Sequence, residues 1–151
     1  MRGARGNLGV TVTAMTALAV VALGAFGGEA DAGALRCDGK LATIVGTPED
    51  DVLRGTAGDD VIVALGGDDR VVAGSGHDTI CGNEGDDTLV GGLGFDVILG
   101  GYGADTVGYG TAVAMVRVDL AAGTASGGDG IDQISSIESI VGSPFDDVLV
   151  G

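Results

Sequence analysis

The sequence predicts an all-β solenoid, a stack of short parallel strands joined by tight turns, and three observations predict it. From Gly46 to Gly108 the chain divides without a gap into nonapeptides. The sixth residue of every unit is aspartate: Asp51, Asp60, Asp69, Asp78, Asp87, Asp96 and Asp105. Two places further on an aliphatic residue always stands: Leu53, Ile62, Val71, Ile80, Leu89, Ile98 and Val107.

The chemistry of one unit leads to the architecture. Glycine reaches positive φ without a Cβ penalty, so the six Gly- and Asp-rich residues make a turn. The last three, such as Thr88-Leu89-Val90, are β-formers and make a very short strand. Side chains alternate across a strand, so the middle residue points to one side and its neighbours to the other. A lone strand of this length buries almost nothing. Stacked in successive coils, the strands pair into parallel sheets and the aliphatic residues line up as one core.

In order the units read GTPEDDVLR, GTAGDDVIV, ALGGDDRVV, AGSGHDTIC, GNEGDDTLV, GGLGFDVIL and GGYGADTVG. They resemble the nonapeptide G-G-x-G-x-D-x-U-x of the RTX (haemolysin-type) calcium-binding proteins, above all in the last two copies. The resemblance implies a right-handed parallel β-roll with two nonapeptides per coil and Ca2+ between loops stacked on the same side. It places Asp51, Asp69, Asp87 and Asp105 along one edge and Asp60, Asp78 and Asp96 along the other. About five ions would fit this block if every loop were competent.

Donor chemistry leads to the same metal. Carboxylates and glycine carbonyls, with no imidazole or thiolate, form a hard oxygen cage that suits calcium better than zinc, copper or magnesium. Two carboxylates about 5 Å apart on neighbouring coils repel by roughly 3 kcal/mol at an effective dielectric near 20. Metal binding and folding are therefore expected as one event, with Kd in roughly the 10⁻⁴ to 10⁻³ M range of extracellular modules. The loops are not equal. The first has Glu49 where the loop glycine belongs, with Pro48 before it, and reads as a cap; the third has Ala64 and Leu65 at its start; Asn83 in the fifth tolerates left-handed backbone.

Residues 1–32 read as a secretory signal peptide: Arg2 and Arg5, an apolar run from Val10 to Phe26, and Ala30-Asp31-Ala32 as the cleavage site, with cleavage after Ala32 and an extracellular location expected. An uncleaved anchor is the alternative. Removal takes away Arg2, Arg5, Glu29 and Asp31 together, so the net charge of −15 belongs to the mature chain. Such a chain has no footprint for nucleic acid, and anionic membranes repel it unless calcium bridges the two. Residues 33–45 read as a capping segment over the open end of the stack. It contains Cys37, and the only other cysteine is Cys81. A secreted chain with two cysteines points to one bridge, which would strap this segment across a sheet face; two free thiols or an intermolecular pair are the alternatives.

After Gly108 the pattern lapses. Residues 109–126 hold one aspartate, Asp119, and a hydrophobic strand candidate from Val113 to Leu120, and read as a degenerate coil. Residues 127–151 resume the repeat: GGDGIDQIS offers Asp132 as ligand and Ile134 as core, and GSPFDDVLV offers Asp147. Catalysis finds no support. His77 is the only histidine, so no His-E-x-x-His zinc site exists, and Ser75 beside it lies in a repeat loop and not in a G-x-S-x-G elbow. The reading is a secreted, non-enzymatic calcium-binding module. An extracellular structural or adhesive solenoid and the C-terminal repeat part of an exported toxin or hydrolase system are the alternatives.

Overall fold

The computed structural model describes residues 34–151, so the expected signal peptide lies outside the described residues. Its strands form the β-roll that the repeat predicts, with no helix among the described residues. A small antiparallel hairpin comes first, β1 (Arg36–Cys37) and β2 (Lys40–Leu41), followed by β3 (Ile44–Val45). Each of the seven nonapeptides then contributes one strand: β4 (Val52–Arg54), β5 (Val61–Gly66), β6 (Arg70–Gly76), β7 (Thr79–Glu84), β8 (Thr88–Gly94), β9 (Val97–Tyr102) and β10 (Thr106–Gly108). The last five are β11 (Val116–Asp119), β12 (Thr124–Gly127), β13 (Gly130–Ser135), β14 (Ser139–Val141) and β15 (Val148–Val150).

Strands pair with the second one along, in parallel: β3, β5, β7 and β9 follow one another in one sheet layer and β4, β6, β8 and β10 in the other. Partners such as Val71 and Leu89 are eighteen residues apart, so two nonapeptides complete one coil. The aliphatic residues of both layers, from Leu53 and Ile62 through Ile98 and Val107, meet in one buried cluster. Coils this close leave no room for side chains where glycines stack. A Cβ on Gly94 would strike the carbonyl oxygen of Gly76, and one on Gly130 that of Gly94.

The C-terminal part departs from the expected degenerate coil. In the place above β9, where residues of a further coil would lie, the chain sets β13, with Ile134 opposite Ile98. Residues 109–126 run ahead: β11 lies two strands further along, and β12 returns antiparallel between β11 and β13. β14 then continues the other layer on β10, and β15 adds to β11 in parallel. The excursion stays in the stack because its alternation suits it: Val116, Val118 and Ala125 join the common core.

Cys37 and Cys81 are disulfide-bonded, with Cα atoms 5.8 Å apart. The bridge fastens the β1–β2 hairpin to the outer face of β5 and β7, where Cys37, Val63 and Cys81 form a second apolar cluster with Ala42, Val61, Leu65 and Leu99. The hairpin therefore straps a sheet face, and of residues 33–45 it is β3 that extends the stack, on β5. Lys40 adds a hydrogen bond from its Nζ to the Thr79 hydroxyl, 2.9 Å.

Candidate metal centre

The repeat aspartates stand in two columns, one at each edge, and each column is a ladder. The main-chain N–H of Asp51 donates to Oδ1 of Asp69, that of Asp69 to Asp87, and that of Asp87 to Asp105, at 2.7–2.9 Å. Along the other edge Asp60 donates to Asp78, Asp78 to Asp96 and Asp96 to Asp132, at 2.8–3.1 Å. The eighteen-residue coil sets this geometry, since it brings each sixth position directly over the last. The excursion through β11 and β12 explains why Asp132 follows Asp96 at an interval of 36 residues.

The ladder takes Oδ1 of Asp69, Asp78, Asp87, Asp96, Asp105 and Asp132, so Oδ2 decides what a loop can hold, and the nine expected ligands divide into three kinds. In Asp69, Asp78, Asp87, Asp96 and Asp105, Oδ2 is buried and meets no donor. In Asp51, Asp60 and Asp147 the loop closes on itself instead. Thr47 donates both its N–H and its hydroxyl to Oδ2 of Asp51 (2.6 and 2.9 Å), and Thr56 does the same for Asp60. Ser143 donates its N–H to Oδ2 of Asp147 and its hydroxyl to Oδ1, which also takes the N–H of Val116. These bonds, the Ser143 hydroxyl first, hold the Asp147 carboxyl below its usual range. In the third kind, Asp132, the hydroxyl of Tyr109 donates to Oδ2 at 2.9 Å.

The second residue of the loop separates the first two kinds. Thr47 and Thr56 turn their N–H groups onto the carboxylate. The open loops place Leu65, Gly74, Asn83, Gly92 and Gly101 there at positive φ, and no N–H closes on Oδ2. In three open loops the first residue completes a cradle: a Cβ at Gly82, Gly91 or Gly100 would run into Oδ2 of Asp87, Asp96 or Asp105.

Burial without a partner penalises a charge. It pushes the Asp69 carboxyl up to about 7 and those of Asp78, Asp87 and Asp96 to about 6, with carboxylates of adjacent coils adding to the effect. Asp105, Asp129 and Asp132 are raised by burial as well. Burial also pushes the Tyr109 phenol up, with the Asp132 carboxylate alongside, so its hydroxyl keeps its proton.

The arrangement suits a hard cation. Each open loop offers a buried carboxylate oxygen in need of positive charge and, apart from the exposed His77 in the loop of Asp78, no nitrogen or sulfur ligand. Among the described residues no three of His, Cys, Asp or Glu converge on one point, so main-chain carbonyls would supply most of a cage. His77 is exposed. It takes part in a second, outer ladder at position five, where its N–H donates to Asp59 and its Nδ1 accepts from Phe95, while Asp50, Asp68 and Asp86 form the same ladder at the other edge.

Two acidic residues escaped the sequence reading. The N–H of Asp105 donates to Oε2 of Glu138 at 2.8 Å, so glutamate ends the first column, its longer arm replacing an aspartate. The acid-x-aliphatic spacing of Glu138 and Ile140 was the available signal. Asp129, in the turn between β12 and β13, is buried, and its carbonyl accepts from Gly94 N–H.

A parallel roll with columns of buried carboxylate oxygens at its loops defines a cation-binding repeat module. Residues 45–80 and 82–111 match the family model of the RTX calcium-binding nonapeptide repeat, in four copies. Over these residues the chain carries RTX repeats, a nonapeptide that binds Ca2+. No curated protein matches the chain.

Proposed function

We propose that this chain is a secreted, non-enzymatic module that takes up Ca2+ at the open loops of Asp69, Asp78, Asp87, Asp96 and Asp105 and completes its fold as it does so. The observation that carries the reading is the set of five buried Oδ2 atoms without a donor. Calcium, when bound, supplies the positive charge these oxygens lack. The chain does the rest: the coil spacing fixes the carboxylates in columns, positive φ at the second loop position keeps N–H groups off Oδ2, and the aliphatic column holds the loops in register. The self-closed loops of Asp51, Asp60 and Asp147 serve as metal-free ends of the array.

Export is supported by the basic, apolar and small-residue pattern of residues 1–32. The Cys37–Cys81 bridge points the same way, since such bonds persist in oxidising compartments. Far-UV circular dichroism of the chelated protein, titrated with calcium and in parallel with magnesium, tests the proposal. A cooperative gain of β signal with calcium alone is expected. A β spectrum unchanged by chelator would sink the coupling of folding to metal.

A further inference from the structure

The loop that carries Asp132 differs from every other in what fills it. Tyr109 stands at the first place of that loop, because its N–H donates to the Val141 carbonyl as Gly46 N–H does to Val63 and Gly55 N–H to Val72. In the open loops the same place belongs to small residues: Ala64, Ala73, Gly82, Gly91 and Gly100. Where a Cβ at Gly82, Gly91 or Gly100 would meet the loop's own Oδ2, Tyr109 sends a whole side chain, and its hydroxyl reaches Oδ2 of Asp132. Both residues are buried, Tyr109 at 4 % exposure and Asp132 at 2 %. Between Tyr109 and Asp129 the chain has left through β11 and β12, and Asp129 fills the third place of this loop, its carbonyl accepting from Gly94 N–H as that of Tyr102 does from Gly85 N–H.

We propose that Tyr109 stands in for the cation in this loop, giving the Asp132 carboxylate a hydroxyl donor in place of a metal ion. The inference rests on the metal reading of the five open loops and overturns the expectation that Asp132 is a ligand. The ion column along this edge then ends at the loop of Asp96. The out-of-order strands β11, β12 and β13 are fastened by a bond that needs no calcium. Tyr109 is thus a positioning residue that ties the excursion to the roll and closes the array.

The test counts bound Ca2+ by equilibrium dialysis in the parent protein, Asp87→Asn, Asp96→Asn and Asp132→Asn. One ion fewer is expected for each of the first two variants and an unchanged number for the third. A second measurement leaves Asp132 intact. The chain has two tyrosines, so in a Tyr102→Phe variant Tyr109 alone reports, and ultraviolet resonance Raman of the calcium-loaded protein should show its phenol as a hydrogen-bond donor. An ion lost in Asp132→Asn, or a phenol that does not donate, overturns the inference while the five-loop reading stands. A parent protein that binds no Ca2+ overturns that reading, and this inference with it.

Discussion

At the scale of single residues, the second position of each loop determines what its aspartate does. Thr56 closes on Asp60 through two donors, whereas Gly92 at positive φ leaves Asp96 open. Thr56→Val deletes the hydroxyl donor and is expected to cost about 1 kcal/mol in chemical denaturation, without changing the number of ions bound. Asp87→Asn should lose one ion and shift the folding transition to higher calcium, read by dialysis and circular dichroism together. In the core, Ile80 is fully buried, and Ile80→Ala is expected to cost about 2–5 kcal/mol, measured as the fall in denaturation free energy of the calcium-loaded protein.

At the scale of elements, each strand is too short to stand alone and each loop is charged, so strand pairing and carboxylate charging are linked. Folding raises the carboxyls of Asp69, Asp78, Asp87 and Asp96 into the range of about 6 to 7, whereas unfolded aspartate titrates near 3.9. The folded chain therefore binds protons that the unfolded chain releases. This contribution to stability is fully present below the unfolded value and disappears as pH rises through 6 to 7. Chelated protein should accordingly show more β signal at about pH 5.5 than at about pH 8, and calcium should bind more weakly at the lower pH because protons compete for the same oxygens. Equal β signal at both pH values in chelator would refute the linkage.

For the whole molecule, the thin roll depends on cross-links that lie outside its core. The Cys37–Cys81 bridge spans 44 residues of sequence, and closing a loop of that length stabilises by about 4 kcal/mol in the chain-entropy model. Cys37→Ser with Cys81→Ser should therefore raise the calcium needed to fold, seen as a shifted midpoint in the titration. A midpoint that does not move would mean that the hairpin contributes nothing to the roll. At the far end the molecule is fastened by Tyr109, Glu138 and Asp147, each bonded to a neighbour more than twenty residues away.

Whatever repeats was legible in the chain: the nine-residue unit, the aliphatic column and the oxygen donors that suit calcium, with the two aspartate columns implied by the resemblance to the RTX repeat. A period is local information, and stacking identical units admits few arrangements that bury the same face. The folded chain alone shows what happens where the period breaks. Residues 109–126 match two nonapeptides in length and read as a coil, yet β12 runs antiparallel and β13 takes the position above β9. Hydrogen bonding and burial are satisfied equally well by strands laid down out of order, and no spacing in the chain distinguishes the two. The same holds for the carboxylates. Nine aspartates share one position in the motif, but whether a threonine, a tyrosine or no donor meets Oδ2 depends on backbone turns and on residues brought in from elsewhere in the chain.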